Sequence, residues 1–302
     1  MSSAGIWGWC ECRFLVCSPS VARPPAPEPS AVGAINPTLL MATIAAILTL
    51  TYISYRLKFL TFDGTLALAP VLLISTLAFG LGALVLMLFV FLSSSLLGRY
   101  RQAQNVTVDN LTQEGSRNAC RIIGGAGPST AVALLALCFP QASAILRVSF
   151  VATLGATTSD TWASEVGVLS KRQPRLLLPP WPQVEPGRSG AVSMLGEIVS
   201  LVGAFFSVAV ALSLGLLSSH DPAIILLSFL VAVFAEHLDS VLGASVQAAY
   251  MCPVCSVRCE VKQHSCGTQT VLVHGHPWMS NEAVNFLSGC AAAGVALLAQ
   301  VI

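Results

Sequence analysis

Six long stretches of the chain are almost wholly apolar: residues 37–55, 66–97, 122–157, 191–217, 222–248 and 281–302. A helix needs about 20 such residues to cross a bilayer, and four of the stretches pass as single spans. The runs 66–97 and 122–157 are too long for that. At about 1.5 Å per residue, one upright helix would far overshoot a hydrocarbon core of about 30 Å. Each therefore reads as a broken or paired segment. Break points are at hand in Gly80 and Gly82 for the first, and in Pro140 with Gln141 for the second, where proline removes a backbone donor. The pattern predicts an all-α fold, a polytopic integral membrane helical bundle of about six to eight segments, with eight favoured over six.

Composition agrees. Mean hydropathy is +0.76, with 55% hydrophobic and 10% charged residues, which excludes a soluble enzyme. Fifteen Lys and Arg against 14 Asp and Glu leave a formal charge of +1. Such a balance offers no basic face for nucleic acid, so no nucleic-acid partner is expected. The positions of the charges say more. The polar loops 56–63, 98–121, 158–190 and 249–280 hold two, four, four and two basic residues. If both long runs are hairpins, all four loops share one side, which the preference of Lys and Arg for short cytoplasmic loops assigns to the cytosol or its equivalent. The turn Ser218 to Asp221 then lies opposite. Two sequons, at Asn105 and Asn110, would be glycosylated only on the lumenal side and are read as unused. Residues 1–36, with Pro24, Pro25, Pro27 and Pro29, read as a disordered tail ahead of a membrane domain spanning 37–302. The tail resembles neither a signal nor a transit peptide, so the host membrane, such as endoplasmic reticulum or plastid, is not readable.

The loop 249–280 carries the sharpest spacing in the chain: Cys252-Pro-Val-Cys255, Cys259, then His264-Ser-Cys266-Gly267. A Cys-x-x-Cys turn lets two thiolates reach one ion with little strain, and structural zinc takes four Cys or His ligands. The most economical Zn2+ set is Cys252, Cys255, His264 and Cys266, with Cys259 as a substitute. Disulfides or free thiols are the alternatives. A zinc ion held by four protein ligands would fold the loop rather than catalyse.

Ionisable residues within apolar segments are costly, and Arg147, Glu197, Glu236 and Asp239 are such residues. Glu236 and Asp239 stand three apart on one helical face and would repel unless a cation or shared proton intervened. Hard oxygen ligands of this kind suit magnesium when a phosphorylated substrate completes the coordination. Just beyond the run ending at 157 comes a polar phrase, Thr158-Ser-Asp-Thr-Trp-Ala-Ser-Glu-Val-Gly167, set at the edge of a membrane segment.

Taken in order, Phe91-Leu-Ser-Ser-Ser95, Glu114-Gly-Ser-Arg-Asn118, Asp160-Thr-Trp-Ala-Ser-Glu165-Val-Gly167, Asp239-Ser-Val-Leu-Gly243-Ala and Asn281-Glu-Ala-Val-Asn285 resemble the motifs of the transmembrane protein 19 family. The likeness covers most of residues 56–300 and implies a multi-pass membrane protein. For the plant branch it implies kinase activity on phytyl phosphate, a prenyl-type lipid phosphate. The chain departs from the family pattern at Arg121 and Gly124-Gly125, and its 98–118 loop holds no lysine.

Phosphoryl transfer is coherent with these residues, since it consists mostly of positioning phosphates and neutralising charge. Asp160, Glu165 and Asp239 would be the catalytic acids and hold Mg2+. Arg117, Lys171, Arg172 and Arg175 would bind phosphate oxygens. Gly124-Gly-Ala-Gly127 with Ser129 and Thr130 offers backbone donors to an anion or a flexible start to a membrane hairpin. The expected partners are membrane lipid, a prenyl phosphate and a nucleotide triphosphate. An ion or metabolite transporter, or a non-enzymatic membrane protein, is the alternative.

Overall fold

A computed structural model describes residues 37–104 and 116–302. The proline-rich tail, the two sequons and Glu114 lie outside these residues. Eight helices follow in order: α1 (Pro37–Arg56), α2 (Phe62–Phe79), α3 (Leu81–Ala103), α4 (Ala119–Cys138), α5 (Ser143–Gly167), α6 (Met194–Ser213), α7 (Pro222–Ser245) and α8 (Asn281–Leu298). All except α5 are long and apolar enough to cross a membrane.

Both long apolar runs break where the sequence places a break. Gly80 alone separates α2 from α3, at φ 80°, a left-handed conformation that a side chain would resist. Gly82 lies inside α3. Between α4 and α5 the chain makes a single 3-10 turn, Pro140–Ala142. One boundary differs from expectation. The phrase 158–167 is helical, forming the last turns of α5 rather than the start of a loop.

The helix α5 is the hub, packed against α3, α4, α6, α7 and α8. Its polarity follows from that position. A helix surrounded by protein does not face lipid, and small hydroxyl residues let neighbours approach closely. Ser149, Thr153, Thr158 and Ser159 are fully buried. Their hydroxyls return to the helix backbone, as Thr153 does to Ser149 O at 2.7 Å, or cross to α6, as Ser159 does to Ser200 Oγ at 2.7 Å. Ser207 of α6 donates to Thr158 Oγ1 at 2.8 Å, and Trp162 donates to Ser93 of α3 at 3.1 Å. Large apolar side chains point outward instead, among them Leu66, Leu92, Phe205 and Leu230. An apolar exterior over a hydroxyl-lined interior is what lipid as solvent selects.

Three short connections, at Gly80, 139–142 and 214–221, lie at one end, where Gly82 comes against Leu214 and Leu216. The four polar connections gather at the other. There the first and second touch through a parallel bridge, Leu60 to Arg117. The third forms a two-stranded antiparallel ribbon, β1 (Arg175–Leu176) with β2 (Ala191–Val192). The fourth folds as a three-stranded antiparallel sheet of order β4-β3-β5, from β3 (Ala249–Met251), β4 (Arg258–Cys259) and β5 (Val271–His274).

Candidate functional site

At the polar end, side chains from six helices, α3 to α8, converge on a cavity of about 240 Å³. The acids Asp160 and Glu165 come from α5, Glu197 from α6, Glu236 and Asp239 from α7 and Glu282 from α8, with Glu260 from the sheet. Two of these helices begin at the cavity on serine caps. Ser193 caps α6 by accepting from Gly196 N, and Ser280 caps α8 by accepting from Ala283 N. Gly190, at φ 70°, lies so close to the last turn of α7 that a Cβ would strike the backbone of Ser240 and Ala244. The ribbon can therefore close over the cavity.

Asp160 and Asp239 are brought together through α8. Ser288 donates to Asp239 Oδ2 at 2.9 Å. Asn285 sits between the two acids, its amide 3.4 Å from Asp160 Oδ2 and, with the amide turned over, 3.2 Å from Asp239 Oδ2. Glu165 is placed differently. Its Oε2 pairs with Arg101 Nε of α3 at 2.8 Å, both side chains buried. Its charge is thus already balanced by the protein. Glu236 and Glu197 flank His237, whose Nδ1 and Nε2 lie 2.9 and 3.2 Å from their oxygens. These three could hold a metal ion. The Glu236 oxygen that faces His237 Nδ1, Oε2, is buried.

Beside this cavity lies a smaller one of about 60 Å³, lined by Lys58, Arg99, Arg101, Arg117 and Arg121 with Ser94, Ser95 and Glu165. Arg101, Arg121 and Glu165 belong to both. Arg117 is therefore in the basic half. Its burial among other cations lowers its pKa to about 10. Lys171 and Arg172 are exposed and line neither cavity. Arg175 donates to Trp181 O at 3.1 Å. Arg101, Arg121 and Arg188, which sequence reading passed over, line the acid cavity. The charges of Arg101 and Arg121 in the 98–121 loop were visible, but their inward direction was not. Arg147 stands near the start of α5, away from the site, its Nε unpartnered.

Gly124 to Gly127 form neither an anion cradle nor a flexible start. They lie within α4, where a Cβ on Gly124 would meet the backbone of Glu282 and one on Gly127 the ring of Phe286. Ser129 and Thr130 both donate to Ala126 O. The glycines serve the α4–α8 contact.

In the fourth connection, Cys252 Sγ, Cys255 Sγ, His264 and Cys266 Sγ offer ligand atoms all within 4.8 Å of one another. Cys259 is apart, buried with Ala248 and Tyr250. Glu260, next in the chain, accepts from Ser189 and Gln247. Burial outweighs those two bonds and raises its pKa to about 7.

A helical bundle that is apolar outside, hydroxyl-rich inside and acidic at one end defines a polytopic integral membrane protein. The chain belongs to the DUF92 family of integral membrane proteins, whose profile matches residues 45–293. It is similar to Protein PGR of Arabidopsis thaliana, 29% identical over 272 residues, covering 83% of this chain and 92% of that one. A membrane protein of Synechocystis, sll0875, is 27% identical over 230 residues, covering 73% and 76%. The chloroplastic Protein VTE6 of Arabidopsis is 25% identical over 203 residues, 66% of this chain and 52% of that one. No solved structure matches the chain.

Proposed function

We propose that the protein is a membrane-embedded phosphotransferase that moves the terminal phosphoryl group of a nucleotide triphosphate onto a prenyl-type lipid phosphate. The supporting observation is the adjacency of an acid-lined and a base-lined cavity that share Arg101, Arg121 and Glu165. The family resemblance seen in the motifs, whose plant branch phosphorylates phytyl phosphate, points the same way.

Phosphoryl transfer needs little covalent help from a protein, only aligned phosphates and compensated charge. Asp160, Asp239 and Glu236 fit a magnesium ion, because hard oxygens suit it and all three line the same cavity. Bound there, the ion would neutralise phosphate charge. Asn285 and Ser288 hold the two aspartates in place. Arg121 and Arg188 face the same cavity and bind phosphate oxygens, for which the guanidinium fork is well shaped. Arg117, Lys58 and Arg99 serve the neighbouring anion. An oxygen of the lipid phosphate attacks the terminal phosphorus, a new P–O bond forms, the bond to the leaving nucleotide diphosphate breaks, and a lipid diphosphate results. The cavity lies at the helix ends, the level at which a lipid headgroup meets water.

Membranes containing the protein, given radiolabelled nucleotide triphosphate and a prenyl monophosphate, should yield the prenyl diphosphate. Asp160→Asn and Asp239→Asn should each lower turnover by about a hundredfold or more, while Lys171→Ala stays within about twofold. Turnover unchanged by Asp160→Asn sinks the reading. Ion-dependent uptake into vesicles without nucleotide consumption would put a transporter in its place.

A further inference from the structure

We infer that Cys252, Cys255, His264 and Cys266 form a structural zinc site whose task is to hold the β4-β3-β5 sheet as a wall of the acid cavity. The inference is independent of phosphoryl transfer.

Two tight turns bring the ligands face to face. In the first, Ser256 N donates to Cys252 O at 2.9 Å and Cys252 N to Val257 O at 2.9 Å, which folds Cys252 and Cys255 onto one side. In the second, Gly267 N donates to His264 O at 2.8 Å and His264 N to Thr268 O at 3.0 Å. Gly267 takes φ 83° there, so His264 and Cys266 point the same way. Cys252 and Cys266 sulfurs stand 3.6 Å apart. Two thiolates at about 2.3 Å from a tetrahedral zinc stand about 3.8 Å apart, so the pair is spaced for a shared ion. His264 Nδ1 lies 3.1 Å from Cys266 Sγ, and Cys255 N points to Cys252 Sγ at 3.5 Å. All four cysteines of the loop are unpaired thiols. Cys259 is excluded as a ligand, because its thiol lies outside the cluster of four and points to Val261 O at 3.6 Å.

The loop needs such a clamp. Its own apolar cluster amounts to Ala248, Tyr250 and Cys259, with Val261 and Leu272 half-buried against them. A core this small does not hold a fold unaided, and metals are a common remedy. What the clamp holds is Glu260. Gln247 Nε2 donates to Glu260 Oε1 and to Ser189 Oγ, each at 3.0 Å, and Ser189 also donates to Glu260. This knot joins the sheet to the third connection. It separates the acid cavity from a second of about 350 Å³ lined by Gln183, Arg258 and His274. Four protein ligands leave no open coordination position, so the ion is not catalytic.

Full-length protein, purified in detergent without chelators, should carry about one zinc per chain by elemental analysis. Cys255→Ser and Cys266→Ser should each fall below about a tenth of that, and Cys259→Ser should keep it. Should the Ser variants fail to fold, wild-type protein reloaded with cobalt decides. It should show tetrahedral d–d bands and charge transfer from three thiolates. Stripping zinc should speed protease cleavage within 252–270 by about tenfold or more. Wild-type protein without zinc, a disulfide within the loop, or metal lost equally from Cys259→Ser would each overturn the inference. If zinc is present but no lipid diphosphate forms, only the phosphotransferase reading falls. Activity in a zinc-free chain removes only this site.

Discussion

Arg101 and Glu165 show how much one pair of side chains can depend on its surroundings. Both are buried, and a buried charge stripped of its partner typically costs about 3–5 kcal/mol. Arg101→Met should therefore lower the melting temperature in detergent sharply. Adding Glu165→Gln to it should restore part of the loss, because the orphaned charge goes too. Equal melting of the single variant and the wild type would show that the pair contributes nothing. At this scale the sequence was legible for residue type and blind to direction. Asp239 stood out as an acid within an apolar segment, and Asp160 as one in a polar phrase at the edge of another. That Asn285 lies against Asp160, and that Glu165 answers to Arg101, depended on residues 125 and 64 positions away, for which spacing carries no signal. Arg121 and Arg188 read as loop charges of the kind that set topology.

Among the elements, α5 is the instructive one. Hydropathy ended the membrane run at 157, yet the helix continues through Gly167. Apolar runs register contact with lipid, whereas α5 contacts other helices and can be polar. Its close approach to α7 is set by Gly155, where a Cβ would come 3.0 Å from that of Ala232. Gly155→Leu should therefore force the two helices apart at a cost of about 1–3 kcal/mol. The expected readout is a lower melting temperature together with loss of the Asp160–Asp239 juxtaposition, seen as weakened divalent-cation binding. Full cation affinity and stability in that variant would show that the approach is not limiting. The glycines at 124–127 tell the same story in reverse. Read along the chain they offer backbone donors to an anion or a flexible start to a hairpin, while in space Gly124 and Gly127 are contact points for α8.

For the whole molecule, the alternation of eight helices puts all four polar connections at one end. Cysteines introduced at the exposed positions Lys58, Arg172 and Val254 should label with an impermeant reagent from the same side of the membrane. One at Ser219 should label from the other. Mixed labelling would break the hairpin assignments at Gly80 and Pro140. Chain order alone determined much here: the membrane class, the helices, both break points and the motifs that mark the family. These depend on local hydrophobicity and on backbone chemistry, which neighbouring residues write directly into the sequence. The tertiary structure alone decided which acids meet, which of them is already neutralised, and which arginines turn inward. Those outcomes rest on contacts between helices far apart in the chain, and side chains reach across such distances only after the bundle has folded.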